Sequence, residues 1–363
     1  MSRPLRVGLV GANPNQSWAM VSHLPALEKL SDLQLTAVAT SNIDTAKEAA
    51  AAFGVEEYHA GGEELAQSPN VDIVSISVKV PHHATLVRRA LAAGKHVMCE
   101  WPLATDVAEA EALYAEAKEA GVHCGVGLQG RMSPAARRAR EMVAAGLIGR
   151  PLTISVFDSS MGFGPTLPAN YAYLSYEAGG ANMTSILGGH TLDLCTHICG
   201  ALTEVQAMGT IKWPTVPLID AEGSIERDSP DNLSIHGRFA NGAVLNLELD
   251  GGRDDNPPFY MKVTGTEGSL SLNGGHPFGW QAGDLTLESS VTFEAPETPA
   301  ADGLAGATSN VGELYARFAK DIRNEEHVTP DFLYAAQLHK LICSVRIAAK
   351  TGQRQFPDDW PTG

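Results

Sequence analysis

Hydrophobic and polar positions follow two different regimes along the chain. Over roughly the first third, short apolar runs alternate with stretches of helical period. Leu5–Val10, Leu33–Thr40, Asp72–Ser77, His96–Glu100 and Val122–Leu128 are brief and almost wholly apolar, the pattern of strands buried on both faces. Between them, Trp18, Met20, His23, Leu24 and Leu27 keep a helical spacing, as do Ile43–Phe53, His83–Ala93 and Asp106–Ala120. Ser41-Asn42 offers a cap ahead of the second helix, and Gly94 and Gly121 close the third and fourth. Short loops between strands and helices predict a parallel sheet with helices on both faces.

Beyond a helix at Ser133–Gly146 the period changes. Gly149-Arg150-Pro151 breaks the chain, and longer segments with open alternation follow: Leu152–Phe157, Leu233–Phe239, Ala243–Leu249, Tyr260–Thr264 and Ser269–Leu272. Asn241-Gly242 and Gly265-Thr266-Glu267-Gly268 are turn signals between them. The expectation is an open, mostly antiparallel sheet with one long helix near Tyr171–Cys199. Terminal helices at Val311–Arg323 and Phe332–Thr351 would cover it or pack back on the first domain. The division expected is 1–130 and 131–363.

Composition refines this only in part. The 363 residues suit two cores, and a formal charge of −16 opposes binding to a phosphate backbone, so no direct nucleic-acid partner is expected. No charged-then-apolar leader and no apolar run of membrane length is visible, so neither secretion nor a membrane partner is expected. Five scattered cysteines suit a reducing, cytoplasmic setting. Cys195 and Cys199 lie one helical turn apart without a second pair, so no metal site is expected.

Candidate chemistry begins at the first strand. Leu5–Val10, then Gly11-Ala12-Asn13, then a helix, is the entry to a dinucleotide-binding βαβ unit, whose tight turn and helix N-terminus suit a pyrophosphate. Gly8, Gly11, Asn13, Ser17 and Trp18 are read as lining that turn, with Asn13 at the usual second-glycine position and able to take a positive φ. The second strand ends in Thr40-Ser41-Asn42, with neither the acid that holds a ribose 2′-hydroxyl nor an arginine for a 2′-phosphate. NAD and NADP both remain open.

Three further stretches carry a resemblance: Cys99-Glu100-Trp101-Pro102-Leu103, Gly189-His190-Thr191-Leu192-Asp193 and Val263-Thr264-Gly265-Thr266-Glu267-Gly268. In this order the chain resembles the glucose–fructose oxidoreductase, inositol dehydrogenase and rhizopine-catabolism family over essentially its whole length. Leu128-Gln129-Gly130-Arg131 and Ser133-Pro134 add a similarity to the fungal galactose-regulon repressor, a regulator with the same fold. The resemblance implies a Rossmann domain followed by an α+β domain. It also implies NAD or NADP, hydride transfer at a secondary hydroxyl of a sugar, polyol or sugar-derived molecule, and a homodimer or homotetramer. Its alternatives are a non-catalytic dinucleotide-binding regulator and a cofactor-retaining hydrolase or lyase.

By the same resemblance, Val80, Pro81, His83, Glu100, Trp101 and Gln129 face the cofactor. Trp101, Gln129, Arg131, Tyr171, Asn182 and His190 face the substrate. Trp101 stands where the family has a lysine, and Ile186 where it has an acid four residues before the histidine. His190 is therefore the expected general base, with Asp193 one turn on to raise its pKa. Tyr173 and Tyr176 are the reserve proton carriers. An open sheet also suggests an apolar outer face that a second copy covers.

Overall fold

The structure is a computed structural model that describes residues 3–15 and 17–357. The chain forms two compact units. One runs to Gln129 and takes in Pro299–Ala336; the other is Gly130–Thr298 with the segment from Gln337 onward.

The first unit is built on six parallel strands: β1 (Leu5–Val10), β2 (Leu33–Thr40), β3 (Glu57–Ala60), β4 (Ile73–Ile76), β5 (His96–Glu100) and β6 (Cys124–Gly127). Their order is β3-β2-β1-β4-β5-β6, a doubly wound sheet that switches direction between β1 and β4. Helices α1 (Leu24–Lys29), α2 (Ile43–Phe53), α3 (Gly62–Ala66), α4 (His83–Ala92) and α5 (Val107–Ala120) join the strands. Asn42 caps α2 by accepting from the Thr45 amide at 2.9 Å, and Asp106 caps α5 by accepting from the Glu109 amide at 2.9 Å. Leu9, Ala12, Ala19, Val38 and Phe53 are among the residues that fill the core between the turn and α2. β3 and α3 escaped the sequence reading, because Glu-Tyr-His-Ala is a four-residue edge strand with only alternate positions half-buried.

The helix after the first turn does not start as a regular α-helix. Ala19–His23 is a π-helical segment, closed by the Leu24 amide on the Ala19 carbonyl. Pro25 has no N–H to return to Val21, which favours the wider register. The Val21 carbonyl instead accepts the Thr308 hydroxyl at 3.1 Å. That hydroxyl belongs to α8 (Gly306–Asn324), which lies 283 positions after the π segment's last residue yet within the same unit.

The second unit opens with α6 (Pro134–Ala144) and carries a seven-stranded sheet. Its strands are β7 (Pro151–Ser160), β8 (Leu202–Thr210), β11 (Asn232–Phe239), β12 (Val244–Gly251), β13 (Phe259–Gly265), β14 (Ser269–Gly274) and β15 (Leu285–Ser289). A separate hairpin pairs β9 (Thr215–Pro217) with β10 (Ser224–Glu226). The order β15-β14-β13-β7-β12-β11-β8 is antiparallel except at β7–β12. Ile154, Val156, Leu245, Leu247, Leu249, Leu233 and Ile235 point into the core against α7 (Leu187–Cys199) and its neighbours. α9 (Phe332–Thr351) is the last helix among the described residues, and Gln355 after it bridges to Val205 of β8.

Two expectations are corrected here. The alternate positions on the outer face of this sheet include Ser155, Ser234, His236, Asn246, Glu248 and Lys262 together with Phe157, Tyr260, Val244 and Met208, so the open face is a mixture of polar and apolar residues rather than a continuous apolar surface. The long helix expected over Tyr171–Cys199 is also absent. A 3₁₀ segment covers Ala169–Ser175, irregular chain follows, and α7 begins only at Leu187. Gly179-Gly180, with Gly180 at φ 69°, and an Asn182–Ser185 turn interrupt the helical register.

Candidate functional site

In the first unit the β1 turn is shaped by close backbone approach. Gly11 has φ 88°, and a Cβ there would strike the Ser77 carbonyl at the end of β4. Asn13 holds the turn rather than replacing a glycine: its side-chain oxygen accepts from the Asn15 amide at 2.8 Å. Its φ is not positive, since Glu325 is the one non-glycine with positive φ among the described residues. Ser17 donates to the Asn13 carbonyl and accepts from the Met20 amide at 3.2 Å, so it caps the π segment. The Trp18 indole N–H is buried without a hydrogen-bond partner. Gly8 does not line the turn. It sits inside β1, where Leu65 and Val71 pack over the space a Cβ would take.

At the end of β2, Thr40 donates to the Asn42 carbonyl at 2.8 Å, and the exposed Asn42 caps α2 with its side-chain oxygen, while Ser41 beside it is also exposed. After β4, Val80-Pro81-His82 forms a 3₁₀ turn. His83 was read as facing a cofactor, but its ring is fully buried between two carbonyls. Nδ1 lies 2.9 Å from the Pro102 oxygen and Nε2 2.9 Å from the Val78 oxygen. Burial pushes its pKa down against the pull of those carbonyls. His83 therefore ties the loop after β4 to the loop after β5.

Glu100 ends β5, at the carboxyl edge where sheets of this kind bind ligands. Its carboxylate lies over Gly127 of β6, where a Cβ would stand 2.7 Å from Oε1. Trp101 is buried, and the Trp101–Pro102 bond is cis. Gln129 is 2% exposed and its side-chain oxygen is buried without a hydrogen-bond partner.

Beneath Glu100 lies a polar chain that sequence reasoning missed. Ser75 Oγ is 2.7 Å from the Tyr315 hydroxyl, which is 2.7 Å from His23 Nδ1. His23 Nε2 stands 3.1 Å from Glu100 Oε1, with its N–H off the line to that oxygen. The helical spacing already put His23 among apolar positions, but Tyr315 lies 292 positions away, so the sequence carried no signal of its partner.

In the second unit α7 gathers the expected catalytic residues, but not in the expected pairing. Asp193 is gripped by Arg131: Arg131 Nε donates to Oδ2 at 3.0 Å and Nη2 donates to Oδ1. Both side chains are buried. The guanidinium assigned to substrate is thus committed to Asp193, and Asp193 does not raise the pKa of His190. Burial instead lowers the His190 pKa to about 3. Its Nδ1 is buried without a hydrogen-bond partner. Next to it, Thr191 donates to Asp158 Oδ2 at 2.7 Å and accepts from the Trp280 N–H at 3.0 Å. Asp158 is fully buried, which holds its pKa well above the ordinary carboxylate range.

Asn182, read as substrate-facing, is turned inward. Its oxygen accepts from the Ser185 amide at 3.2 Å and from Arg346 at 3.3 Å. Tyr171 is exposed and Tyr176 half-buried. Burial raises the Tyr173 phenol pKa, and the neighbouring Tyr171 adds to the rise.

Three comparisons bear on these observations. Residues 5–128 match the oxidoreductase family with the NAD-binding Rossmann fold, and residues 134–274 match the Gal80p C-terminal domain. The chain is 32% identical to the dehydrogenase aclE of Aspergillus oryzae, over 76% of this chain and 78% of that one. It is 30% identical to the galactose/lactose metabolism regulatory protein GAL80 of Saccharomyces cerevisiae, over 83% of this chain and 73% of that one. It shares its fold with levoglucosan dehydrogenase solved in complex with NADH and levoglucosan (TM-score 0.84, 23% identity, 98% of this chain and 100% of that one).

Proposed function

Because this chain belongs to the oxidoreductase family with the NAD-binding Rossmann fold, we propose that it is an NAD(H)-dependent dehydrogenase acting on a secondary hydroxyl or ketone of a sugar-like small molecule. The first unit fits the dinucleotide. The Gly11 turn has no room for a side chain, and the half-buried Glu100 carboxylate is an acceptor for a ribose hydroxyl. The nicotinamide, when bound, supplies the two-electron hydride chemistry.

The observation that carries the catalytic half is geometric: His190 is a buried imidazole whose Nδ1 has no hydrogen-bond partner among the described residues, and the burial that lowers its pKa also weakens it as a proton acceptor. A neutral imidazole accepts a hydroxyl proton during oxidation and returns it during reduction. Arg131 and Asp193 act as one braced pair that fixes this stretch of α7. Trp101 has one N–H and no charge, so the orienting cation of the resemblance is missing.

A screen of purified protein with NAD⁺ or NADP⁺ against sugars, polyols and hydroxy acids, read by absorbance of the reduced nicotinamide, tests this reading. Turnover of a polyol or sugar is the expected result. NADH in excess should raise Tm by mass action, and Gly11→Val should abolish that rise.

The second reading is a dinucleotide-binding regulator. It is favoured by the Gal80p C-terminal domain match and by Trp101 and Ile186 at the resemblance's proton-handling positions. NADH-dependent capture of a protein partner, with no turnover across the screen, would establish it instead.

A further inference from the structure

We infer that His23 is a positioning residue for the dinucleotide, fixing the Glu100 carboxylate from beneath through a buried Ser75–Tyr315–His23 chain. The inference rests on the reading of Glu100 as a ribose acceptor.

The chain has one sense of direction. A carboxylate only accepts hydrogen bonds, a neutral imidazole has one N–H, and each hydroxyl has one O–H. With a carboxylate at Glu100 and one N–H on His23, each contact receives one donor in a single arrangement. Ser75 donates to the Tyr315 oxygen, Tyr315 donates to His23 Nδ1, and His23 Nε2–H is left for Glu100 Oε1. Tyr315 does not supply its proton as an ion, because burial holds the phenol far above its ordinary range and the charge of Glu100 adds to this. Reversing the sense would leave His23 Nε2 as a bare lone pair against a carboxylate.

Three features show that the arrangement is built rather than incidental. Ser75, His23 and Tyr315 are each at most 1% exposed, and such groups are retained in a core when they are paired. His23 is the last residue of the π segment, and from there its ring reaches Tyr315 on one side and Glu100 on the other. Gly127 clears the space in which the carboxylate lies. What is incomplete is the last contact. The His23 N–H is 3.1 Å from Oε1 but off its line, and it has no other hydrogen-bond partner. A small rotation of the carboxylate, as a hydroxyl engages it, aligns the contact, and contacts of this kind tighten on ligand binding. His23 therefore contributes to dinucleotide affinity only through Glu100.

A double-mutant cycle on NADH affinity tests this, with dissociation constants taken from fluorescence titration of the intact protein. His23→Phe should raise Kd about tenfold when Glu100 is present. In the Glu100→Ala background the same change should shift Kd less than about twofold. Tyr315→Phe keeps the ring and removes the bridging hydroxyl. It should show the same dependence on Glu100, and it carries the test alone if the His23 variant does not fold. Equal shifts in both backgrounds would mean that His23 acts through packing, which overturns the inference. Wild-type protein that binds NADH with an affinity indifferent to His23, Tyr315 and Glu100 also overturns it, while leaving the family reading intact. Wild-type protein that binds neither NADH nor NADPH sinks the reading of the first unit as a dinucleotide site.

Discussion

His190 and Asp193 share a helix face by their spacing, which is why the sequence suggests an acid–histidine pair. Arg131, 62 positions before Asp193, breaks that pair by taking both carboxylate oxygens. Nothing local signals such a contact, so the residues were legible and their partners were not. The consequences are measurable. Asp193→Asn leaves a buried guanidinium without its counter-charge and should lower stability by about 3–5 kcal/mol, seen as a fall in the denaturant midpoint. It should not move a histidine limb in the pH–rate curve. His190→Ala should lower kcat by about 10²–10⁴ while NADH affinity holds. The sign for stability follows from the lowered pKa. His190 takes no proton in the folded state until about pH 3, whereas in the unfolded chain it is protonated below about pH 6.5. Its contribution is full above pH 6.5 and is lost as pH falls toward 3. His190→Phe should flatten that part of a stability–pH curve, and an unchanged slope would show that the imidazole titrates normally.

Among elements, those with strong local signals were readable and those defined by absent or distant partners were not. α2 runs Ile43–Phe53 as its cap and apolar spacing predict, and the hairpin at Asn241-Gly242 joins β11 to β12. The long helix expected near Tyr171–Cys199 is reduced to α7, because Gly179-Gly180 and the Asn182 turn interrupt the chain before it. The π segment was hidden for a different reason: Pro25 is tolerated near a helix start, and the sequence does not show which carbonyl goes unpaired. That carbonyl is Val21, and Thr308 satisfies it. Thr308→Val should therefore cost about 1 kcal/mol and lower Tm by a few degrees. If the π register serves only packing, NADH affinity will not change with it; the position of His23 implies that affinity falls in step.

At the scale of the whole molecule, the formal charge of −16 and a cluster of three histidines set the response to acid. His96, His123 and His327 stand ring against ring, with centroids 5.5 and 4.9 Å apart. Burial lowers the pKa of His96 and of His123, and in each a neighbouring histidine lowers it further. Groups depressed in this way favour folding above about pH 6.5 and lose that contribution as pH falls through their folded values. Tm should drop between pH 7 and 5, and His123→Gln should lessen the drop. The implied homodimer rests chiefly on the family reading, because the open sheet face mixes polar residues with Phe157, Tyr260, Val244 and Met208. Light scattering at micromolar concentration should return a dimer whose dissociation responds to salt, and a salt-indifferent monomer rejects it. The return of Pro299–Ala336 to the first unit also bears on synthesis. The ribosome finishes β1–β6 long before it makes Tyr315 and Thr308, so His23, Ser75 and Val21 wait without their partners while the whole of Gly130–Thr298 emerges. At about 5–20 residues per second that wait is roughly ten to thirty seconds. During it the six strands of the first unit are all present but α8 is not, polar groups in the core stay unpaired, and the first domain begun is not the first one finished.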